Sequence, residues 1–563
     1  MSTNISKEKR EKLINEIKAI HDYIAAAPQD ENTGSLLTYL SEIEKDIKGK
    51  KYGLVFEEHR ESVDELLENN VPVLIEDESL KIDNGGTQNF LIEGDNLASL
   101  KLLEKTHKGA IDLIYIDPPY NTGNKDFVYD DTFVGDDDKF RHSKWLSFME
   151  RRLKIAKKLL SSNGILFISI DDNEYAALKV LCDTIFSESN YVATLPRRTI
   201  NSGKHDSTAI TISHDYVLLY SLLGKSIKLK QKIKSAEEKQ SLYNLKDEHL
   251  ETRGRYYITQ LNKNSIQYSD SLNYPIVAPN GEEIWPGGGF EDKQWVWRWS
   301  KAKFQWGLEN GFIVFKKNTK TQKYKVYTKS YENVDKDGNI IIRTNPNTSL
   351  DFTGNEYTNF NATPELEKIM GAKKLFDYPK PILLIKSLLS LLNMNAYTAL
   401  DFFAGSGTTG HAVMQLNAED GGKRKFILCT NNENNICRDV TYERIKRVIA
   451  KENYKANLKY YKVDFVPITE QVYYEYADKL LLHIKELVEL ENGLDFDGNK
   501  KVAICLSDED LQDFVNSLGD NTTYKAVYVG HDVFVTPEIE SKLNSLDIKI
   551  NIIPDYYYGE LRG

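Results

Sequence analysis

Hydrophobic residues change their spacing along this chain of 563 residues, and the changes divide it into regions. In the first region they recur every three to four positions, as at Leu13, Ile14, Ile17, Ile20 and Tyr23. This spacing places them on one face and predicts amphipathic helices within residues 1–48, with a further helix through 62–68. We interpret the region as a small helical domain, whose helices either pack against the chain or contact a partner or DNA.

Short apolar runs alternate with helical segments from Asn89 onward. Residues 90–103 indicate a strand, a Gly-Asp turn and a helix that Asp95 or Asn96 can cap. A strand at 111–120, a helix at 143–160 and a strand at 164–171 follow. Alternation at this spacing predicts an α/β fold with a largely parallel sheet.

The same alternation returns near Tyr378. Prolines suited to a first helical turn precede a predicted helix that ends at 389, and a strand, a glycine-rich turn and a helix follow over 396–414. A strand at 425–430 and a helix at 441–451 complete this segment. Beyond residue 456 we expect further α/β elements and an oligomer or partner interface, with elements at 502–506, 508–518 and 524–529.

The stretch between these segments, from about 197 to 365, is polar, irregular and rich in turns. It contains five of the six tryptophans, and four of them lie close together within 294–306. We expect this cluster of four in a domain core rather than in a platform for stacking bases. We therefore predict a helical region at 1–88 and one α/β domain in two parts, at 89–196 and 370–455. An inserted domain at 197–369 separates these two parts, and a C-terminal α/β domain follows at 456–563.

Charge is unevenly distributed, although the net charge of −11 is not that of a typical nucleic-acid-binding protein. Between Ser221 and Leu350, 22 Lys and Arg residues accompany 14 Asp and Glu residues. A basic segment of this kind can neutralise phosphates, although a solvated lysine-rich surface gives the same count.

The four cysteines (Cys182, Cys429, Cys437 and Cys505) are scattered, with no Cys-x-x-Cys pair. This distribution favours a reducing compartment and argues against a structural zinc site. No apolar run is long enough to predict a membrane span, and the N-terminus lacks the features of a signal peptide. We expect a cytoplasmic protein.

One predicted strand ends abruptly at Asp117, Pro118, Pro119 and Tyr120. Its end should reach the carboxyl edge of the sheet, where open α/β folds bind ligands. Because proline lacks an N–H group and has a fixed φ, we expect the carbonyls of Asp117 and Pro118 to point away from the sheet. An acid, a free carbonyl and an aromatic face suit a flat heterocycle with an exocyclic amine, although an ordinary strand-end turn would have the same residues.

The second candidate site is the glycine-rich strand-to-helix turn at 401–410. Glycines let a backbone approach a ligand closely, and the amides at the start of a helix favour a negatively charged group. No Gly-Lys-Ser/Thr follows, so the turn is not a Walker loop. Its spacing fits a dinucleotide-binding turn or a tight packing turn.

Together the two motifs resemble the signature pair of S-adenosylmethionine-dependent DNA amino-methyltransferases. The acidic motif precedes a long insertion and then the glycine loop, as in the β class of that family. The segments 92–97, 297–301 and Lys380-Pro381 resemble the Mod subunit of type III restriction-modification systems. The resemblance implies an α/β, Rossmann-like methyltransferase fold with an inserted target-recognition domain and smaller N- and C-terminal domains.

The resemblance also implies a site for S-adenosylmethionine, and no metal. Asp95 would lie near the adenine ring of the cofactor and Glu433 near its ribose, although Asn-Asn-Glu-Asn-Asn at 431–435 departs from the usual pattern. The methionine moiety would be bordered by the glycine loop, through Asp401, Phe403, Ala404, Gly405, Ser406, Gly407 and Thr408.

In the family's catalytic motif, which here comprises Asp117, Pro118, Pro119 and Tyr120, the acid and the Pro118 carbonyl would accept hydrogen bonds from the target amine. Tyr120 would stack on the base, which must leave the DNA helix to reach such a pocket. Asp before Pro-Pro-Tyr favours adenine N6 in this family, with cytosine N4 as the alternative. No cysteine lies in a nucleophile motif, so we expect no covalent intermediate.

The insertion occupies the position of the family's target-recognition domain. As candidate DNA contacts we name Arg197, Arg198, Lys204, Lys228, Lys230 and Lys232. The resemblance implies double-stranded DNA as substrate, a homodimer, and a separate Res-like restriction subunit, since no helicase or nuclease motif occurs here. Two other classes remain open: a catalytically silent DNA-binding specificity subunit, and an amino-methyltransferase for RNA or protein.

Overall fold

The computed structural model of the protein describes residues 5–26, 33–48, 56–123, 127–129, 132–135, 137–201, 210–319, 321–468, 474–496, 498–519 and 521–559. The chain divides into two units. The first comprises Met1–Lys228 and Ser349–Gly563, and the second comprises Leu229–Thr348.

The α-helices, numbered along the chain, are α1 (Ile5–Ala26), α2 (Thr33–Lys48), α3 (Ser62–Asn69), α4 (Asn96–Thr106), α5 (Arg141–Leu159), α6 (Tyr175–Phe186), α7 (Ala236–Leu242), α8 (Leu250–Arg253), α9 (Lys301–Glu309), α10 (Asn359–Met370), α11 (Ile382–Leu389), α12 (Thr408–Asp420), α13 (Glu443–Glu452), α14 (Tyr474–Leu481), α15 (Ile484–Asn492), α16 (Asp508–Ser517), α17 (Pro537–Ser545) and α18 (Asp555–Tyr558). A π-helix over Ile436–Tyr442 runs directly into α13.

The strands are β1 (Asn70–Glu76), β2 (Thr87–Glu93), β3 (Ile111–Ile116), β4 (Val128–Tyr129), β5 (Thr132–Phe133), β6 (Leu160–Ile170), β7 (Tyr191–Arg198), β8 (His214–Ser221), β9 (Lys232–Ile233), β10 (Tyr256–Gln260), β11 (Asn262–Lys263), β12 (Ile276–Val277), β13 (Glu283–Ile284), β14 (Val296–Trp297), β15 (Ile313–Lys317), β16 (Tyr324–Tyr331), β17 (Thr344–Asn345), β18 (Thr398–Asp401), β19 (Lys425–Thr430), β20 (Ala456–Pro467), β21 (Val502–Cys505), β22 (Ala526–Gly530) and β23 (Lys549–Ile553).

A large mixed sheet forms the centre of the first unit, in the order β1-β20-β2-β19-β18-β3-β6-β8-β7. The six strands from β20 to β6 are parallel, whereas β1 and β8 run antiparallel to their neighbours. Helices α4, α5, α11 and α12 each bury one apolar face within this unit. The side chains inside the strands are fully buried, as at Leu113, Leu166, Leu400 and Leu428. The predicted α/β fold with a largely parallel sheet is confirmed.

The two strands that lead into the candidate motifs are direct neighbours. β3 pairs with β18, so that Leu113 lies opposite Ala399 and Ile114 opposite Leu400. The two motifs lie far apart in the sequence, but each follows one of these parallel strands. The sheet therefore brings them to one edge.

The sheet also includes strands from outside the predicted α/β ranges. β1 precedes residue 89, β20 follows residue 455, and β8 lies within the predicted insertion. The unit that is separate from the sheet is the shorter segment 229–348.

The second unit contains small antiparallel sheets, the largest with the order β10-β16-β15. Its core includes Leu261, Phe304 and the buried Trp297, whose indole N–H donates to the Tyr274 carbonyl at 2.7 Å. Trp299 and Trp306 pack against a neighbouring cluster around Phe312. These tryptophans serve as core residues, as expected from the sequence.

The N-terminal helices and the C-terminal elements follow the sequence pattern, but three of the five apolar residues predicted on one face of α1 are exposed. Ile14 and Ile17 are half-buried in α1, which packs against α2, whereas Leu13, Ile20 and Tyr23 are 47%, 49% and 78% exposed because a two-helix hairpin covers only a narrow stripe. At the C-terminal end of the chain, β21, β22 and β23 form a parallel sheet covered by α16 and α17. None of the helices in the described residues combines the length and apolar character needed to cross a membrane.

Candidate active site at the carboxyl edge of the sheet

The carboxyl edge of the sheet collects the residues of both motifs. Parallel strands β2, β3, β18 and β19 all end there, and open α/β folds bind ligands at this edge. Strand β8 runs in the opposite direction, so its first residues, His214 and Asp215, reach the same edge. The loops after these strands therefore form one continuous region.

Asp117, the first residue after β3, is contacted by a lysine from the other half of the α/β fold. The Lys380 ammonium lies 2.6 Å from each carboxylate oxygen of Asp117 and 4.9 Å from the centre of the Tyr120 ring. The Lys380 side chain is only 9% exposed. The acid of the motif is thus paired with a cation that rests against the aromatic face.

The Pro-Pro turn is fixed from behind by helix α5. The indole N–H of the buried Trp145 donates to the Pro119 carbonyl at 2.7 Å. Within the described residues the Pro118 carbonyl has no protein donor, which agrees with the expectation that it points away from the sheet. The turn therefore offers an acid and a free carbonyl side by side.

Tyr120 is held at its hydroxyl, which donates to Asp215 at 3.3 Å. Burial, followed by the charges of Asp117 and Asp215, raises the pKa of Tyr120 well above its usual value. The phenol therefore remains a protonated donor under all ordinary conditions.

A buried polar cluster supports the residue that follows the motif. Asn121 has a left-handed backbone (φ 56°) and donates from its side-chain amide to Glu174 at 2.6 Å. His142 Nδ1 lies 2.6 Å from the same carboxylate oxygen. Burial raises the pKa of Glu174, which is fully enclosed. This cluster fixes the direction in which the chain leaves Tyr120.

A cavity of about 300 Å³ opens beside the Pro-Pro turn and touches residues from both motifs. Its lining includes three acids, Glu61, Asp95 and Glu433, and the rings of Phe148 and Phe403. A larger cavity of about 510 Å³, between α3, α4 and α5, contains none of the predicted site residues.

The buried Arg152 organises one wall of the 300 Å³ cavity. Its guanidinium donates to both Glu61 oxygens at 2.7 and 2.9 Å and to the Asn96 side chain at 2.5 Å. It also stacks on Phe148, with 3.6 Å between the guanidinium carbon and the ring centre. Asp95 caps α4 through the amides of Leu97 and Ala98, so of the two caps considered the structure uses Asp95.

Side chains from the π-helix and from α13 hold the backbone of the glycine loop in place. Thr441 donates to the Gly405 carbonyl at 2.6 Å, and the buried Arg444 donates to the Ser406 carbonyl and the Thr408 hydroxyl. Gly407 has a φ of 75°, a left-handed conformation that favours glycine. Phe403 lines the cavity, whereas the buried Ala404, Ser406 and Thr408 shape the loop below it.

Asp401 is buried and does not line the 300 Å³ cavity. Its carboxylate accepts the Phe403 amide at 3.0 Å and the Thr409 hydroxyl at 2.5 Å. Burial raises the pKa of Asp401 to about 7. The acid holds its own loop, because strand-end carboxylates satisfy the free amides of the following turn.

The candidate DNA contacts have different environments. Arg198, Lys228, Lys230 and Lys232 are exposed, and Lys204 lies outside the described residues. Arg197 is only 1% exposed, and its guanidinium is held by Asp215 and the Asn359 side chain. The expectation for Arg197 was wrong, because β7 turns this side chain into the interior.

Sequence reasoning misses several residues of the candidate site. It includes Lys380 only within the Lys380-Pro381 resemblance, and it does not predict Asp215, Trp145, Arg152 or Glu174. Each lies far along the chain from the residue that it contacts. Charged or polar residues next to strand ends were the available signal.

Comparison with known proteins gives a family match over the same region. Residues 111–442, which include both motifs, match the family model N6_N4_Mtase, described as DNA methylase. The chain is 33% identical over 419 residues to the StyLTI Mod subunit, a type III restriction-modification enzyme of Salmonella typhimurium, covering 68% of this chain and 61% of that one. It therefore spans less than two thirds of that relative.

A second relative is matched along most of its length. The chain is 33% identical over 404 residues to the type II methyltransferase M.KpnI of Klebsiella pneumoniae, covering 68% of this chain and 91% of the relative. Among solved structures, the cytosine-N4-specific PvuII DNA methyltransferase aligns with a TM-score of 0.32 and 11% identity, over 67% of this chain and 97% of that one. The family match over 111–442 and the similarity to M.KpnI show that this chain belongs to the DNA methylase family.

Proposed function

We propose that this protein transfers the methyl group of S-adenosylmethionine to N6 of an adenine in duplex DNA, as the modification and recognition subunit of a type III restriction-modification system. The observation that carries the proposal is the juxtaposition of the Asp117–Tyr120 corner with the acid-lined aromatic cavity. The family membership and the identity to the StyLTI Mod subunit support it.

The cavity fits S-adenosylmethionine in chemistry. The methionine end of this cofactor has an ammonium, a carboxylate and a sulfonium, and its adenosine end can stack and can donate hydrogen bonds from the adenine amine and the ribose hydroxyls. The carboxylate of Asp95 would accept a hydrogen bond from the adenine amine and that of Glu433 from the ribose hydroxyls, and Phe403 and Phe148 offer aromatic surface. When bound, the cofactor supplies an electrophilic methyl carbon.

The residues of the corner act on the target base by positioning. An exocyclic amine is a poor nucleophile because its lone pair is delocalised into the ring. Asp117 and the Pro118 carbonyl would accept the two amine hydrogens, which favours a tetrahedral nitrogen with its lone pair directed outward. Fixed acceptors of this kind stabilise developing charge without reorganisation.

Tyr120 would provide the stacking surface for a base that has left the helix. Extrusion costs a few kcal/mol, and stacking with hydrogen bonds offsets it. Replacing Tyr120 with Ala should weaken engagement of the base, which steady-state kinetics on duplex DNA would detect as an increased KM or a reduced kcat.

The central test is Asp117→Ala. We expect methyl transfer to fall by about 100-fold or more, the loss typical of one preorganised hydrogen-bonding group, while cofactor binding survives. Transfer of a tritiated methyl group to duplex DNA measures the first quantity, and calorimetric titration measures the second. Asp464→Ala, which removes an exposed acid from β20, is the matched control. Near-normal turnover of the Asp117 variant would refute the proposal.

Three alternatives are separated by the same assay. Cytosine N4 methylation is the runner-up, because the matching family model covers N6 and N4 enzymes, and mass spectrometry of the digested product DNA distinguishes the two bases. Equal amounts of duplex DNA, RNA and protein as acceptors test the other substrate classes. Absence of cofactor binding in the wild type would instead favour a silent specificity subunit.

We further propose a homodimer with the C-terminal region as a candidate interface, and a Res-like restriction subunit as partner. The StyLTI relative is named as the Mod subunit of a type III restriction-modification enzyme, which supports the proposal of a separate restriction subunit. Light scattering on the purified chain tests the dimer. A measured mass near 64.6 kDa, the mass of one chain, would exclude it.

A further inference from the structure

The hydroxyl of Tyr120 has a role that base stacking does not explain. It donates to Asp215, a carboxylate that is 3% exposed and lies at the start of β8. A phenylalanine would offer a similar ring face for stacking. The buried acceptor for the hydroxyl therefore needs a separate explanation.

Asp215 is held by a buried arginine on the neighbouring strand. Arg197 and Asp215 are register partners across β7 and β8, and the guanidinium contacts both carboxylate oxygens through Nε and Nη2. Arg197 Nη1 is occupied by the Tyr357 carbonyl at 3.1 Å and the Asn359 side chain at 2.8 Å. A bidentate pair of this kind adds geometric specificity, so the carboxylate cannot rotate away from Tyr120.

The strand directions explain why this pair lies beside the corner. β8 is antiparallel to β6, so it begins where the parallel strands end, and β7 ends there as well. Removing two charges from water is costly, and a well-packed apolar pair is often no less stable than a buried ion pair. Folding alone therefore gives no advantage to charges at these two positions.

We propose that Asp215, oriented by Arg197, is a positioning residue that fixes the tip of the Tyr120 ring, and with it the surface on which the target base stacks next to Asp117. This inference rests on the proposed function. Asp215 acts through Tyr120 and does not itself touch the base.

A thermodynamic cycle tests the proposal. One variant is Tyr120→Phe, which removes only the hydroxyl. The other is the paired replacement Arg197→Met with Asp215→Leu, which removes both charges and leaves no unpaired ion. We expect each to lower kcat/KM for duplex DNA about tenfold, in the range of one hydrogen bond to a charged group. The triple variant should lose no more than the paired variant, because both changes break the same contact. The proposal would be overturned if the loss of kcat/KM in the triple variant equalled the product of the losses in Tyr120→Phe and in the paired variant. Full activity of Tyr120→Phe would also overturn it.

The same sheet offers a matched control. Tyr220, at the other end of β8, donates to Asp183 at 2.8 Å, and Asp183 pairs with Lys179 at 2.6 Å. Tyr220→Phe, and Lys179→Met with Asp183→Leu, remove an equivalent trio away from the carboxyl edge. We expect kcat/KM to be unchanged in both control variants. If they lost as much activity as the variants at Tyr120 and Asp215, the effect at Tyr120 would reflect general destabilisation, and this would overturn the proposal.

A spectroscopic readout separates this inference from the proposed function. With [ζ-¹³C]tyrosine labelling, the Tyr120 signal is identified by its absence in Tyr120→Phe. Its chemical shift should change in the paired variant because the hydroxyl loses its acceptor. If the wild type transfers no methyl group to DNA, the proposed function fails, while the Tyr120 shift still tests the contact. An unchanged shift would overturn the positioning role.

Discussion

At the scale of single residues, the acid of the corner is paired with Lys380. The ammonium contacts both Asp117 oxygens and lies 4.9 Å from the centre of the Tyr120 ring, so one cation contacts two side chains of the candidate site. Asp401 is a second acid close enough to interact with Asp117 electrostatically. Lys380 therefore offsets repulsion between two carboxylates as well as aiming one of them.

We predict that Lys380→Met lowers kcat for methyl transfer about 10- to 100-fold, the range for losing a hydrogen bond to a charged group. Lys380→Arg should retain part of the activity, because the charge remains. Lys386→Met, which removes a surface lysine from α11, is the control. Single-turnover assays at saturating DNA and cofactor measure the effect, and an unchanged rate would contradict this role.

Asp401 makes stability depend on pH. Its carboxyl ionises near 3.8 in the unfolded chain, whereas burial raises the pKa to about 7 in the folded chain. Between these values the folded state binds the extra proton, so the contribution of Asp401 to the free energy of unfolding decreases as pH rises from about 4 to about 7.

Asp401→Asn should remove this decrease. From pH 5 to pH 8 we expect the stability of the variant relative to the wild type to rise by a quantity on the order of 3 kcal/mol. Urea unfolding followed by circular dichroism at the two pH values measures the difference. Parallel pH profiles for the two proteins would show that Asp401 does not titrate in this range.

At the scale of elements, the buried Arg152 joins three helices around the cavity. It links α5 to Glu61 at the start of α3 and to Asn96 at the start of α4. Its guanidinium also lies 3.6 Å from Asp95, the residue that caps α4. Sequence spacing predicted each helix but not the residue that joins them.

Arg152→Met should lower the free energy of unfolding by roughly 1–3 kcal/mol, because the nearly buried Glu61 loses two short hydrogen bonds and keeps only Arg151, 3.6 Å from one carboxylate oxygen. Adding Glu61→Gln should recover part of the loss. Lys154→Met on the exposed side of α5 is the control, with an expected change within about 0.5 kcal/mol. Thermal unfolding with and without cofactor gives the values, and equal losses for the two single variants would contradict the role of Arg152.

At the scale of the whole molecule, residues 229–348 form a unit distinct from the one that contains the large mixed sheet. The flanking strands β7 and β8 belong to that sheet and hold Tyr120 through Asp215. We propose that recognition of the DNA sequence depends on residues 229–348. An exchange of this segment leaves β7 and β8 in place.

Exchange of residues 229–348 with the equivalent segment of a relative should transfer the relative's recognition sequence and keep methyl transfer active. Sequencing of modified bases in treated DNA identifies the sites. If an active chimera still methylated the original recognition sequence, residues 229–348 would be excluded as the recognition element. Exchange of 197–369, which also replaces Arg197 and β8, should reduce activity in addition.

The sequence by itself determined the type of most elements and the two motifs, because helical and strand periodicity are local properties of the chain. The strand at 425–430 followed from neighbouring residues alone, whereas the sequence left the cap of α4 open between Asp95 and Asn96 and the structure shows that it is Asp95. The sequence also identified Asp117, Pro118 and Tyr120 as a corner that suits a flat amine, and the structure places them together at the edge of the sheet.

Only the tertiary structure decided which side chains face the site. Lys380 lies beside Asp117 because its backbone carbonyl accepts from Thr408, at the start of the helix that follows β18, the neighbour of β3. Arg197 turns inward because β7 pairs with β8 in the register that sets it opposite Asp215. Asp401 serves its own loop because burial and two local donors enclose it. Strand order and register join residues that are distant along the chain, and local spacing contains no information about either.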